Sequence, residues 1–145
     1  MAPIVFRKKI ACVNVAPLSY VYLSSKNYFF IPKHFKNIKN KRNISLSEIK
    51  DKKLGRIFTS AELKKNNVRL VENSGIEIYE LVREVYLKMI GKWKIKTNEI
   101  KLQKKFRNQF QSDEKDQDGI TKLHNKINSY IGYNFLKKNT YFLRK

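Results

Sequence analysis

The sequence predicts an α/β protein, and three observations lead to this prediction. Short runs rich in β-branched and aromatic residues alternate along the chain with longer stretches of helical periodicity. Several of those stretches begin with serine or threonine three residues before glutamate, the spacing of a capping box. Proline follows two of the short runs. Because strands that alternate with helices favour parallel pairing, we expect a partial Rossmann-like parallel sheet of about three strands. Helices flank this sheet, and a C-terminal helical extension follows it.

Three short runs are predicted to be the strands of the sheet. The first is the apolar run at residues 11–16, and the second is the aromatic run at residues 28–31. The third covers residues 68–72. Between the last two, the lysine-rich segment at residues 33–42 is predicted to be an exposed loop.

Side-chain caps mark where three of the predicted helices begin. Ser45, Thr59 and Ser74 each have a glutamate at the third following position, which is typical of a helix N-terminus. Other helices are expected at residues 1–9, 97–110, 121–130 and 134–138, with a polar linker at residues 111–119.

The clearest helix begins after Ser74 and ends near Gly91. Its apolar side chains recur at helical spacing, at Ile78, Leu81, Val82, Val85, Tyr86 and Met89. Side chains with this spacing lie on one side of a helix, so we expect these residues to form one buried face.

The chain carries a formal net charge of +20, from 32 lysine and arginine residues against 12 aspartate and glutamate residues. A strongly basic surface attracts phosphate, whether on nucleic acid, anionic lipid or a nucleotide-sugar. However, lysine outnumbers arginine by 25 to 7, and specific phosphate recognition favours the planar arginine side chain. Lysine has AT-rich codons, so genome composition accounts for much of this charge, and a solvated surface is favoured over a functional basic patch.

One basic segment suggests nucleic-acid binding as an alternative function. Aromatic residues are interleaved with lysine at residues 26–42. In single-strand-binding proteins, aromatic side chains stack on the bases and basic side chains contact the phosphate backbone. The competing interpretation is a core strand that runs into a basic loop. The aromatic run at residues 28–31 favours the buried strand.

The sequence indicates neither a membrane-spanning nor a secreted chain. No stretch approaches the roughly 18 consecutive apolar residues of a transmembrane helix. Charges at residues 7–9 interrupt the place where a signal peptide has its apolar core. The single cysteine, Cys12, has no partner for an internal disulfide, which is typical of a reducing compartment. We therefore predict a cytoplasmic protein, with peripheral contact at the inner membrane face as an open alternative.

Metal and catalytic motifs are not complete in this sequence. The positions of His34, His124 and Cys12 do not match the spacing of zinc ligands. Residues 114–119 imitate the start of an EF-hand loop, but Asn125 stands where the bidentate glutamate is needed. The chain also contains no glycine-rich phosphate loop and no GxSxG motif. We expect no metal, no cofactor and no self-sufficient catalytic constellation.

Six segments, in order along the chain, carry a resemblance to one protein family. They are VNVAP, FIPKH, SLSEI, VENSGIEIYELVREVYLKMIGKW, LQKKFRNQF and INSYIGYNFLKKNTYFL. The fourth resembles that family's capped helix with a closing Gly-x-Trp, here Gly91 and Trp93. The last is similar to its closing Ile-Gly-x-x-Phe-Leu pattern, here Ile131, Gly132 and residues 135–136. Over nearly its whole length the chain resembles the C-terminal portion of bacterial GT-B-like glycosyltransferases linked to surface polysaccharide synthesis.

The resemblance carries implications for domains, substrates and activity. It implies that residues 1–95 are a partial donor-side α/β domain and that residues 96–145 are a helical C-terminal extension packing on it. It implies a nucleotide-sugar donor and a glycan acceptor, without a metal or another cofactor. It also places Met1 inside a helix of the donor site, with the acceptor-binding N-terminal domain absent. On this interpretation we expect a fragment that is inactive until that domain is supplied.

Four polar residues are candidates for binding the donor, because ligands of open α/β sheets lie beyond the carboxyl ends of the strands. Asn14, near the end of the first predicted strand, suits a sugar or nucleotide edge. Lys33 and His34 follow the second strand and suit a phosphate. Asn73 follows the third. Each has a structural alternative, namely a turn asparagine, a solvated loop or a helix cap, and no residue is identified as catalytic.

Overall fold

The computed structural model describes residues 7–21, 25–110 and 127–144. The strands are β1 (Ile10–Val15), β2 (Tyr28–Pro32), β3 (His34–Asn37), β4 (Val68–Val71) and β5 (Tyr130–Ile131). The helices are α1 (Leu46–Asp51), α2 (Ser60–Lys65), α3 (Gly75–Met89), α4 (Thr97–Phe110) and α5 (Tyr133–Lys138). Short 3₁₀ turns cover Leu18–Tyr20, Leu54–Arg56 and Thr140–Leu143.

A three-stranded parallel sheet confirms the predicted α/β fold class. Its strand order is β1-β2-β5, and both strand pairs are parallel. Every residue of the central strand β2 is buried, as expected for a parallel strand covered on both faces. Phe30 meets Phe106 of α4 on one face, with ring centroids 5.9 Å apart. Phe29 meets Lys88 of α3 on the other face, so that helices flank the sheet on both sides.

A second, two-stranded sheet corrects the prediction for residues 33–42 and 68–72. The run at 68–72 does form a strand, β4, but β4 pairs antiparallel with β3 rather than joining the parallel sheet. All of β3 lies in the segment predicted to be an exposed loop. The reason is Phe35, which is 2% exposed. Burying this ring orders the lysine-rich chain around it, and its charged neighbours remain at the surface.

The third parallel strand is β5, in a region where the sequence predicts a helix. Residues 121–126 of that predicted helix lie outside the described residues, and the helix does not extend to Tyr130. Ile127, Ser129 and Ile131 are buried, while the residues between them are less so. This alternation has the period of a strand, and the Gln103 side chain donates a hydrogen bond to the Ile131 carbonyl at 2.6 Å.

The predicted helix starts are confirmed where they are described. Complete capping boxes stand at Ser45 and Ser74, and the Thr59 hydroxyl accepts a hydrogen bond from the Glu62 amide. Gly91 follows α3 with a φ of +69°, a left-handed conformation that suits glycine at a helix end. The predicted linker at residues 111–119, and most of the predicted helix at residues 1–9, lie outside the described residues.

The buried face of α3 differs from the predicted one. Leu81 and Val85 are buried, but Val82, Tyr86 and Met89 are exposed. Instead, Glu84 of the neighbouring flank is 1% exposed. An ion pair with Lys88, described below, offsets part of the cost of burying this carboxylate. The buried side of α3 therefore includes Glu84 in place of the predicted Val82 and Tyr86. Among the described residues, no helix has the length and apolarity needed to cross a bilayer.

Candidate functional site

The ends of three strands bring the predicted donor-binding residues together. Asn14 lies in β1 just before its last residue, and Lys33 and His34 follow the last residue of the central strand. Asn73 lies between β4 and the N-terminus of α3. Hydrogen bonds join these segments at the carboxyl ends of β1 and β2. Asn73 reaches them from the end of β4, which belongs to the two-stranded sheet and not, as predicted, to the parallel one.

Two reciprocal hydrogen bonds join Asn14 and Asn73. The Asn14 amide donates to Asn73 Oδ1 at 2.7 Å, and the Asn73 amide donates to Asn14 Oδ1 at 2.6 Å. Asn73 Nδ2 also donates to the Pro32 carbonyl at 2.8 Å. Asn14 has a φ of +54°, a left-handed conformation that asparagine tolerates better than most residues. Both asparagines therefore hold the three strand ends together.

Lys33 contributes a partly exposed positive charge to the site. Its amide donates to the Val15 carbonyl at 3.1 Å, which continues the pairing of the two strands. Its Nζ lies 3.4 Å from Glu72 Oε1, and the Glu72 side chain is 75% exposed. An exposed ion pair of this kind contributes little stability, so an anionic ligand can replace Glu72 as the partner of Lys33 at small cost.

His34 is held between a phenol and a carboxylate. Its Nδ1 lies 2.6 Å from the Tyr141 hydroxyl, and its Nε2 lies 3.1 Å from the Glu77 carboxylate. The imidazole also packs against the Phe135 ring at 5.5 Å between centroids. In these contacts Nε2–H donates to the Glu77 carboxylate, and the Tyr141 hydroxyl is the hydrogen-bond partner of Nδ1. Both ring nitrogens are thus engaged within the chain.

Glu77 connects His34 to the start of α3. One of its oxygens accepts hydrogen bonds from the Ser74 amide and hydroxyl at 2.8 and 3.0 Å, and the other accepts from Asn139 at 3.0 Å. Burial raises the pKa of Glu77, but the hydrogen bonds from Ser74, His34 and Asn139 outweigh burial and hold this pKa below its usual range. The carboxylate therefore occupies the helix N-terminus as an anion.

Tyr141 is a site residue that the sequence does not reveal. It is separated from His34 by 107 positions, and no spacing rule links them. Burial, together with the nearby Glu77 carboxylate, raises the pKa of Tyr141 above its ordinary value. Its phenol therefore stays protonated and able to donate. Glu77, in contrast, is visible in the sequence as part of a capping box, although its contact with His34 is not.

A second polar cluster lies between α3 and α4. Lys88 Nζ lies 2.8 Å from Glu84 Oε1 and 2.9 Å from Glu99 Oε1. The rings of Phe29, Trp93 and Tyr130 surround the ammonium group, with centroids 5.0 to 5.3 Å away.

The electrostatics of this cluster indicate a structural role. Burial lowers the pKa of Lys88, but Glu84 and Glu99 outweigh burial and raise this pKa above its ordinary value. Burial raises the pKa of Glu84, whose other oxygen accepts a hydrogen bond from the Tyr133 amide at 2.8 Å. The ion pairs of Lys88 with Glu84 on α3 and with Glu99 on α4 join the two helices.

No group of three or more His, Cys, Asp or Glu side chains is arranged to hold a metal ion in the part of the chain that the structure describes. The donor-binding role of Asn14, Lys33, His34 and Asn73 stays a prediction, and so does the family. Comparison of the chain with family models, curated proteins and solved structures finds no match in any of the three.

Proposed function

We propose that this chain is the nucleotide-sugar side of a GT-B-like glycosyltransferase that acts in cell-surface glycan synthesis. The convergence of Asn14, Lys33, His34 and Asn73 at the carboxyl edge of the parallel sheet supports the proposal most. Open α/β sheets bind their ligands at this edge. The ordered sequence motifs add to this support.

In this proposal Lys33 is the residue that contacts the donor phosphates. Its ammonium group exchanges the exposed Glu72 carboxylate for a phosphate oxygen. The asparagine pair keeps the strand ends in place, and His34 positions the segment that follows Lys33. The glycan acceptor and the catalytic groups belong to a further domain, so this chain alone binds the donor without transferring it. We place the protein in the cytoplasm, where nucleotide-sugars are available.

Titration of the purified chain with UDP-, GDP- and CMP-sugars tests the proposal. We expect one nucleotide class to bind, with NMR shifts concentrated at the amides of Asn14 and Lys33. Lys33→Ala is expected to weaken that binding about tenfold, because a charge-assisted hydrogen bond contributes about 1.5–3 kcal/mol. Lys105→Ala is the matched control, since it removes one exposed charge from α4. Absence of binding, or an equal loss in both variants, contradicts the proposal.

Nucleic-acid binding is a second candidate function, and one observation favours it. Lys39, Lys41 and Arg69 are exposed at the β3–β4 pair, where they form a cationic surface away from the asparagine pair. This function predicts that the logarithm of the binding constant for single-stranded DNA or RNA falls linearly with the logarithm of salt concentration. Heparin is the control polyanion. A preference for polynucleotide over heparin supports nucleic-acid binding, and equal affinity contradicts it.

A further inference from the structure

Exposed large apolar side chains are concentrated in one short stretch of the described chain. Of the nine that the described residues expose, seven lie within residues 76–95. Four of these seven, which we name the α3 stripe, recur at helical spacing on α3: Tyr79, Val82, Tyr86 and Met89. Single exposed apolar residues need no explanation, but a contiguous group of them marks a surface that binds a protein or a membrane.

The α3 stripe faces away from the parallel sheet. Each of its four side chains is at least half exposed. The opposite side of the helix carries the buried residues Leu81 and Glu84, and α3 packs on β1 and β2. The stripe is therefore a convex ridge on the outside of the molecule, and it extends over roughly 15 Å, given the rise of an α-helix.

The carboxylates of α3 are turned away from this ridge. Glu77, Glu80 and Glu84 are each less than one-fifth exposed, and each is paired with another side chain of the chain. Carboxylates that the described residues do expose, at positions 51, 62 and 72, lie outside residues 75–96. The outer side of α3 is thus apolar without negative charge.

Three cations beside the ridge are free to meet an anionic surface. Arg83 lies on α3, and Lys92 and Lys94 follow the end of the helix. All three are exposed, and none forms an ion pair within the part of the chain that the structure describes. The net charge of +20 by itself locates no partner. An apolar helix face bordered by unpaired cations, with its own carboxylates turned inward, has the composition of a helix that adsorbs to an anionic bilayer.

The shape and the residue types of the ridge also favour a bilayer over a protein. A protein partner needs a groove that fits a convex ridge, whereas lipids rearrange around it. Tyrosine, which supplies two of the four residues of the stripe, is enriched at the depth of the lipid headgroups. Long lysine and arginine side chains extend along an apolar surface and keep their charge in water or among phosphates.

We propose that the α3 stripe is a membrane-adsorption surface by which this chain lies on an anionic bilayer. The stripe enters the boundary between headgroups and acyl chains, and the helix axis lies along the membrane plane. Arg83, Lys92 and Lys94 contact the lipid phosphates. This surface does not depend on the nucleotide-sugar site.

Vesicle sedimentation with the full chain tests the proposal. One set of vesicles contains phosphatidylcholine alone, and the other contains phosphatidylglycerol as a minor component. We expect the chain to bind the anionic vesicles at least about tenfold more tightly than the neutral ones. Spin-labelled lipid in the anionic vesicles is expected to broaden the NMR signal of the Met89 methyl group, because that group enters the bilayer.

A double variant separates the apolar contact from the general attraction of a basic chain. Val82→Ser combined with Tyr86→Ser keeps every charge and is expected to weaken vesicle binding at least about tenfold, because it removes the apolar surface that the bilayer buries. Ile100→Ser is the control, because Ile100 is 60% exposed on α4. We expect Ile100→Ser to change vesicle binding by less than about twofold.

Two lysine pairs test whether the position of the charge matters. Lys92→Gln combined with Lys94→Gln is expected to weaken binding at least about fivefold, because both lysines lie at the bilayer surface. Lys104→Gln combined with Lys105→Gln removes the same charge from exposed positions of α4, on the other face of the sheet. We expect this second pair to change binding by less than about twofold.

Four results overturn the proposal. They are absence of binding to the anionic vesicles, unchanged binding in the Val82 and Tyr86 double variant, equal losses in the two lysine pairs, and a Met89 signal that spin-labelled lipid leaves sharp. Self-association without vesicles that the double variant abolishes also overturns it, since the ridge then belongs to an interface with a second copy.

Discussion

Asn14 and Asn73 are 59 positions apart in sequence, yet each accepts a hydrogen bond from the backbone amide of the other. Asn73 is 7% exposed, so its polar atoms have little access to water as a substitute partner. The pair joins the end of β1 to the segment before α3 through two bonds between a backbone amide and a side-chain oxygen. It explains why the edge of the sheet is ordered where the strands themselves have ended.

The asparagine pair is expected to stabilise the fold. Asn73→Ala leaves the Asn14 amide and the Pro32 carbonyl without their partner, and we expect a loss of about 1–3 kcal/mol in the free energy of unfolding. Urea unfolding followed by circular dichroism measures this loss. Asn98→Ala, an exposed asparagine on α4, is the control and is expected to change stability by less than about 0.5 kcal/mol.

A double-mutant cycle tests the reciprocity of the pair. Asn14→Gly removes the side chain but keeps the left-handed backbone conformation available. Combined with Asn73→Ala, it is expected to cost less than the sum of the single changes, with a coupling of about 0.5–3 kcal/mol. Additive effects would contradict cooperation between the two hydrogen bonds, each of which joins one side chain to the backbone amide of the other residue.

We expect Glu77 to make the free energy of unfolding depend on pH in the acidic range. Its pKa is lower in the folded chain than its ordinary value. The stabilisation is therefore present above the unfolded pKa of about 4.3 and is lost as the pH falls through the lower, folded value. Glu77→Gln should flatten the fall in urea midpoint between pH 5 and pH 3, relative to the original chain. Glu62→Gln, which removes a carboxylate at the equivalent position of α2, is the matched control.

Lys88 is expected to be essential for packing between α3 and α4. Lys88→Met leaves the buried carboxyls Glu84 and Glu99 without their cation, and we expect a loss of about 3–5 kcal/mol. Lys138→Met, which breaks the more exposed pair with Glu80, should cost less than about 1 kcal/mol. Thermal unfolding of both variants makes the comparison. Similar losses in the two variants would exclude a special role for the buried cluster.

The pH dependence of the Lys88→Met variant follows from Glu84. Burial raises the pKa of Glu84 even with lysine present, and the variant lacks the opposing cation. A carboxyl whose folded pKa is raised favours the folded state when protonated and opposes it as the pH rises above the unfolded value. The stability deficit should therefore be smaller at pH 5 than at pH 8. A deficit that is independent of pH would contradict this explanation.

We expect replacement of Gly132 by alanine to destabilise the fold, because there is no room for the added methyl group. A Cβ at this position would lie 2.9 Å from Ile31 Cγ2 and 3.1 Å from Leu81 Cδ1. Because the surrounding core is closely packed, Gly132→Ala should cost about 1–3 kcal/mol. At Gly75, the first residue of α3, a Cβ would meet nothing within 4 Å. Gly75→Ala should be neutral or slightly stabilising. Equal unfolding midpoints for the two variants would contradict the close approach.

Several features could be predicted because they depend on neighbours in sequence. The start of α3 needs only Ser74 and Glu77, which are three positions apart, and its end needs only Gly91. The fold class follows from the alternation of strands and helices. The candidate residues at the sheet edge followed from a general rule about where parallel strands end, and the structure brings Asn14 and Asn73 into contact there.

Other features could not be predicted because they depend on distant partners. The segment before Gly132 has apolar residues at both helical and strand spacing, and contact with the central strand selects the strand. On α3, Glu84 is buried beside its ion-pair partner Lys88, whereas Val82 and Tyr86 of the apolar pattern are exposed. Tyr141 reaches His34 across 107 positions, and no local pattern encodes that contact.

The amino-acid sequence alone determined the α/β class, the capped helix starts and the positions of β1 and β2, because each depends on interactions within a few residues. Tertiary structure decided which strands pair, which flank of α3 is buried and which groups surround His34. These depend on competition between distant segments for the same buried space and the same hydrogen bonds. Such competition is resolved only when the whole chain packs together.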